Sequence, residues 1–358
     1  MAKKILISTG GSGGHVIPAT VFFDHLKDKF EVFISSDLRG SKYLNKNQFN
    51  PIIIDSPKIS NNILLLPYQI FLIFFLSAKS FFIMKNKKID ILISTGGYMS
   101  LPLCFAAKFL GIKIILFEPN MVLGRANKIF LKFSKKIFCY SKEIKNFPEK
   151  LLKKIIVINP LVRKSFYSSI QSKQDENDNP FNLMIVGGSQ GAKIFDENIK
   201  ESVADLSLKH KLKVIQQTNI NNIENLKNFY FNINIDNYIF EYDENFFELV
   251  SSSNLCITRA GASTISELVF LKIPFLAIPL PSAKDNHQFE NANFYKNKDC
   301  CWILDQKDFN TKKLNKILCE IIENKKDYLE KKKNMQNFNY QNTWNNINQK
   351  IIDTVNEN

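Results

Sequence analysis

The sequence predicts an α/β protein: two doubly wound parallel-sheet (Rossmann-like) domains facing each other across a cleft. Three observations carry this expectation. Short apolar runs alternate with helical stretches, as in parallel sheets covered by helices on both faces. The alternation is interrupted by the polar, proline-closed segment QSKQDENDNP (171–180) and then restarts. The heptapeptide ILISTGG at 5–11 recurs unchanged at 91–97, and a third run, LMIVGGSQG, opens at 183, so an apolar strand ends on a glycine pair three times.

In chain order, KKILIST (3–9) reads as a buried strand and VIPATVFFDHLKDKF (16–30) as the helix after it. EVFISSD (31–37), IDILIST (89–95), KIILFE (113–118) and KIFCYS (136–141) are further strands, with helical stretches between them. Beyond the polar segment, FNLMIVGG is a strand and NIKESVADLSLKH a helix; LKVIQQT, YIFEY, LCITR and PFLAIPL are strands. The expected boundaries are 1–165 for an N-terminal domain, 166–180 for a linker and 181–335 for a C-terminal domain. A C-terminal helix, 336–358, is expected to pack back toward the first domain.

Composition sets bounds. A chain of 358 residues suffices for two domains with their own cores, and 45% hydrophobic residues exclude a disordered one. The net charge of +14 is uneven: residues 1–160 hold 24 Lys/Arg against 9 Asp/Glu, and the remainder hold 24 against 25. A basic N-terminal half suits an anionic partner. None of the six cysteines forms a C-x-x-C pair, which points to a reducing compartment, with Cys256 and Cys301 as small core residues. Only ILI separates Lys4 from the polar STGGSGG, so a secretory signal is not expected at the start.

In doubly wound sheets, ligands sit at the carboxyl ends of the strands. Glycine lets the backbone approach a phosphate there, and the next helix offers N–H groups and a positive dipole end. GGSGGHV (10–16) departs from the dinucleotide fingerprint, because Val16 stands where the third glycine belongs, although Asp37 lies near the distance expected for a ribose-binding acid. In RAGASTISE (259–267), Gly261 permits a tight turn and Ser263 and Thr264 start a helix suited to a diphosphate. Glu267, one turn in, is placed for the two hydroxyls of a ribose. A capped helix with a satisfied core glutamate gives the same pattern. Gln288 and Asn291 open a further helix.

Six motifs taken in order resemble those of GT-B glycosyltransferases, above all the family of UDP-N-acetylglucosamine transferases of peptidoglycan synthesis. They are GGSGGHVIPA (10–19), STGGYMSLP (94–102), EPNMVLGRANK (118–128), NPLVR (159–163), GGSQGAK (187–193) and RAGASTISE (259–267). The resemblance implies GT-B architecture and an inverting, metal-independent transfer of N-acetylglucosamine from UDP-N-acetylglucosamine to the muramyl 4-hydroxyl of lipid I, giving lipid II. No cofactor and no nucleic acid are implied. The C-terminal domain would hold UDP through Ser189, Ala262, Ser263, Thr264, Ile265, Ser266 and Glu267. Gln288 would reach the sugar or phosphate, and the uracil would lie near Tyr242 and Asp243. Ser12, Gly13 and Gly14 would offer N–H groups to a diphosphate. Asn120 and Arg163 would help bind the donor, Asn127 is a further substrate-binding candidate, and Gly97 and Tyr98 would line the acceptor side.

Inversion needs one base and a stabilised leaving group. His15 is the first candidate for the base, against a role in positioning the loop; Glu118 and Asp37 are the fallbacks. No D-x-D pair occurs, so no catalytic metal is expected, and leaving-group charge falls to helix N-termini, hydroxyls and Arg163. The chain departs from the family pattern at Phe117 and Pro119, where His and Gln are usual, and NPLVR carries one residue more than usual.

ILLLPYQIFLIFFLSAKSFFIM (63–84), followed by KNKK, is the most apolar stretch, interrupted by Pro67, Gln69 and Lys79. It reads as a helix with one face in the core and one on an anionic membrane surface, at the cytoplasmic face of the inner membrane, against the alternative of a plain buried helix. Two other functions stay open: a glycolipid synthase of the same build with a different lipid acceptor, and a nonenzymatic nucleotide-binding membrane scaffold.

Overall fold

A computed structural model describes residues 2–57, 63–168, 180–188, 193–243 and 245–357. The chain divides into two compact units, one of Met1–Lys164 with Asn342–Asn358 and the other of Ser165–Gln341. Most of segment 171–180 lies outside the described residues.

Among the described residues, the first unit has strands β1 (Lys4–Ser8), β2 (Glu31–Ser36), β3 (Ile52–Ile53), β4 (Ile91–Ser94), β5 (Lys113–Glu118), β6 (Lys136–Cys139) and β7 (Ile155–Val157). They pair in parallel in the order β3-β2-β1-β4-β5-β6-β7. The second unit has β8 (Phe181–Val186), β9 (Leu212–Gln217), β10 (Asp236–Phe240), β11 (Leu255–Thr258), β12 (Phe275–Ala277) and β13 (Cys301–Ile303), ordered β10-β9-β8-β11-β12-β13, again all parallel. Central strands read as continuous apolar runs because helices cover both faces: Ile5, Leu6 and Ile7 are all fully buried. β3, β7 and β13 were not anticipated; runs of two or three residues carry no readable period.

Strand order reverses between β1 and β4 in the first sheet and between β8 and β11 in the second. The repeated heptapeptide lies across the first reversal. β1 and β4 align residue for residue, Ile5 with Ile91 through Ser8 with Ser94. The second reversal is flanked by Gly187–Gly188 after β8 and by Arg259–Gly261 after β11. Such reversals open the crevice in which doubly wound sheets bind ligands.

Phe117 is fully buried, with Phe22 packed edge-on at a 5.3 Å centroid distance and Tyr140 at 5.6 Å. This departure from the family pattern is a core residue. The C-terminal segment 336–358, expected as one helix, is divided. Lys325–Asn339 is a helix of the second unit, and a new helix, Trp344–Asn356, starts where Thr343 accepts a hydrogen bond from the Asn346 N–H. The Trp344 helix packs on the helix Gly13–Leu26, with the Trp344 ring stacked on His25 at 3.6 Å. Burial pushes His25 down to about 4. Lys3 and Lys113 donate to the last carbonyls of the Trp344 helix, satisfying groups that a helix end leaves unpaired.

The helix Leu66–Lys87 packs on the helix Leu101–Phe109. Its buried residues are Gln69, Ser80 and Met84, whereas Phe71, Phe74, Phe75 and Phe82 are 59–73% exposed. By length and composition alone it could cross a membrane.

Candidate functional site

In the first unit the helix Gly13–Leu26 starts directly from the β1 turn, three residues earlier than the pattern suggests, with Ser12 as its N-cap residue. Ser12, Gly13 and Gly14 therefore stand at a helix N-terminus, where backbone N–H groups and the dipole favour an anion. His15 lies in the first turn. Its Nδ1 is 2.8 Å from the Thr95 carbonyl oxygen on the neighbouring β4 turn. A carbonyl only accepts, so this bond puts the imidazole hydrogen on Nδ1 and makes Nε2 the basic nitrogen. Nε2 faces Gly97: a Cβ added at Gly97 would lie 3.5 Å from it.

The two STGG turns are joined. Thr95 N donates to the Ser8 carbonyl (3.0 Å), and Thr95 Oγ1 donates to Thr9 Oγ1 (3.0 Å). Gly97 has φ +77°, and a side chain there would overlap the Met99 sulfur, which underlies both loops. Nothing in the sequence marks Met99 for this role, because its partners are set by the pairing of β1 with β4.

The two fallback carboxylates are occupied. Asp37, whose side chain is fully buried, accepts from Gly11 N (2.8 Å) and Gly40 N (2.8 Å) and pairs with Arg39 (2.5 Å). Arg39 in turn donates to the Tyr98 hydroxyl at 2.6 Å and lies over its ring. Glu118, 2% exposed at the end of β5, accepts from Asn120 N (3.2 Å), Asn120 Nδ2 (2.9 Å), Gly124 N (2.7 Å) and Asn127 Nδ2 (2.9 Å). Each carboxylate thus stitches a glycine-bearing loop to a strand end. Arg39, two residues beyond Asp37 in DLRGS, is a participant that the sequence reading missed. Asn127 is buried beneath Gly96 and also donates to the Phe117 carbonyl. Arg163 is half-buried after β7, two strands from β5.

In the second unit the strand–turn–helix after β11 is built differently. Arg259 is buried and donates to the Ile278 carbonyl (3.0 Å) and Gln306 Oε1 (2.6 Å). Its guanidinium rests on the Phe195 ring, and burial pushes it down to about 10. Ala260 then takes a left-handed φ of +60°, rare for a residue with a Cβ, and Asn291 Nδ2 donates to its carbonyl at 3.2 Å. Gly261 caps the helix Ala262–Leu271. Its first residues, Ala262, Ser263 and Thr264, are half-exposed; Ile265, Ser266 and Glu267 are buried, and Ser266 Oγ donates back to the Ala262 carbonyl. Gln288 opens the helix His287–Asn297 and accepts from Leu280 N at 2.8 Å.

Ser189 lies outside the described residues. Tyr242 and Asp243 follow β10, two strands from the reversal; Asp243 accepts from the Tyr238 hydroxyl (2.6 Å) and Asn245 N (2.7 Å). Each unit by itself therefore presents a helix N-terminus beside a strand-order reversal, suited to a phosphate-bearing ligand.

Comparison with known proteins gives consistent results. Residues 5–139 match the N-terminal domain of glycosyltransferase family 28, and residues 182–347 match its C-terminal domain. A UDP-N-acetylglucosamine–N-acetylmuramyl-(pentapeptide) pyrophosphoryl-undecaprenol N-acetylglucosamine transferase of Pelagibacter ubique is 54% identical, with both chains covered in full. One with the same description from Rickettsia bellii is 37% identical over 90% of this chain and 92% of its own. The crystal structure of Acinetobacter baumannii MurG superposes with a TM-score of 0.74 at 24% identity, covering 98% of each chain.

Proposed function

The chain belongs to glycosyltransferase family 28, and from that premise we propose how its residues carry the transfer. The enzyme moves N-acetylglucosamine from UDP-N-acetylglucosamine to the undecaprenyl-diphospho-muramoylpentapeptide lipid I, forming lipid II for peptidoglycan.

The observation that carries the mechanism is the His15 geometry: Nδ1 tied to the Thr95 carbonyl and Nε2 turned toward Gly97. His15 Nε2 takes the proton of the acceptor hydroxyl as that oxygen attacks the anomeric carbon. The bond from that carbon to the UDP oxygen breaks, and the sugar inverts. UDP departs with its charge on the helix N-terminus at Ala262–Thr264, with Arg163 as a further cation, and Glu267 holds the ribose. Asp37 and Glu118 serve by fixing loops. Ser12, Gly13 and Gly14 lie at a second anion site, suited to the lipid diphosphate. The absence of a D-x-D pair supports leaving-group stabilisation without a metal.

The acceptor is a membrane lipid, and the outward phenylalanines of the helix Leu66–Lys87 suit the membrane interface. Leu66, Pro67, Ile70, Phe71 and Phe74 form an open apolar patch on that face, and the helix ends in Lys85 and Lys87 with Lys88 as its C-cap residue. Because Gln69, Ser80 and Met84 pack inward, the helix lies along the surface of the bilayer rather than across it, on its cytoplasmic, anionic side.

Turnover of labelled UDP-N-acetylglucosamine with lipid I tests the reading. His15→Ala should lower kcat by about 10²–10⁴ with UDP affinity unchanged. A kcat within threefold of the parent would remove His15 as the base. EDTA in the same assay should leave turnover intact.

A further inference from the structure

We propose that the second unit carries a zinc-type metal site formed by His210, Cys319 and Glu323. The helix Thr311–Glu323 presents Cys319 and Glu323 four residues apart on one face, and the turn after the helix Lys193–Ser207 brings His210 over them. One ligand atom from each lies within 4.8 Å of the other two. His210 Nε2 stands 3.7 Å from Glu323 Oε1, too far for a hydrogen bond. The nitrogen-to-oxygen edge of a zinc tetrahedron is about 3.3–3.5 Å for bonds of about 2.0–2.2 Å, so the pair has only a few tenths of an ångström to close on binding. The orphaned nitrogen is the independent sign: Nε2 is sealed from solvent without a hydrogen-bond partner.

The donor set is imidazole, thiolate and carboxylate, which selects zinc or cobalt over magnesium or calcium. Cys319 is half-buried, whereas the other five cysteines are buried. On binding, the Cys319 thiol gives its proton to solvent, His210 ligates as the neutral imidazole, and water fills the fourth position. His210 precedes β9, and Phe181 N at the start of β8 donates to the adjacent Lys211 carbonyl. The site is therefore at the amino-terminal edge of the sheet, away from the glycine turns at the other end of the same strands. It clamps the turn before β9 to the Thr311 helix and takes no part in glycosyl transfer.

Cobalt titration of the full chain, stripped of metal by chelation, tests this. One equivalent of Co²⁺ should bind with a sulfur-to-cobalt charge-transfer band that Zn²⁺ displaces. Cys319→Ser should lack the band, and His210→Gln and Glu323→Gln should each weaken binding about tenfold or more. Zinc should raise the Tm of the parent but not of Cys319→Ser, with turnover equal in both. Absence of the band at equimolar cobalt, its survival in Cys319→Ser, or unchanged affinity in both His210→Gln and Glu323→Gln overturns the site.

Discussion

The first and second units solve the same problem by different means. Each must hold a tight turn between a strand and a helix N-terminus. The first does so with glycines at positive φ and with two buried carboxylates, Asp37 and Glu118, that accept from loop N–H groups. The second places an alanine, Ala260, in the left-handed region and holds it from outside through Asn291 and the buried Arg259. In the first unit the acids are spent on architecture, which leaves a histidine as the titratable group at the loop. In the second the buried Glu267 sits on the helix that follows the turn itself.

The largest effect expected from that contrast is on Glu118→Ala. It strands several buried donors that now share one carboxylate, and should cost about 4 kcal/mol of unfolding free energy. A denaturation midpoint equal to the parent's would break the contrast. Acid comes next. His25 is neutral in the fold, and its pKa near 4 lies below the ordinary 6.5. Its contribution is complete above pH 6.5 and is lost as pH falls from 6.5 through 4, about 3 kcal/mol in all. The first unit should therefore loosen in acid before the second. The chain's two tryptophans report on this separately, Trp344 in the first unit and Trp302 in the second. Fluorescence of Trp302→Phe, with Trp344 alone, should shift at higher pH than that of Trp344→Phe; coincident transitions would sink the idea.

Glu267→Ala should weaken UDP binding more than tenfold in titration calorimetry, since a charge-assisted bond is worth about 1.5–3 kcal/mol. Unchanged affinity would move the ribose elsewhere. Gly97→Ala should destabilise by about 2 kcal/mol, and adding Met99→Ala should cost less than the two single changes summed, because they share one clash. The smallest effect is Ala260→Gly. Relief of a left-handed alanine, about 1–2 kcal/mol, is offset by the greater freedom of unfolded glycine, so Tm should hold or rise slightly. A marked fall would show that the Ala260 methyl group packs to more purpose than the contrast allows.

Much of this was legible in the sequence because it is local. Strand–glycine–helix runs follow from composition over ten residues, and the duplicated ILISTGG already named the two strands that meet at the first reversal. Their pairing in register was not legible, and with it went Met99 and the bond from His15 to Thr95. Nor can a sequence tell a carboxylate facing a substrate from one facing its own backbone. Glu118 and Asp37 qualify equally for either role until the donors around them are seen. The break before Trp344 is legible in principle, since Thr343 three residues before Asn346 is an N-cap pattern.

The strap of the Trp344 helix onto the Gly13 helix makes the second unit an insertion, leaving the first at Lys164 and returning at Asn342. A ribosome delivers such a nested chain in an awkward order. The second unit can close as soon as its own residues have emerged, because everything it needs is contiguous. The first must wait, with Lys3, Lys113 and His25 unpartnered, until the Trp344 helix arrives to cover them.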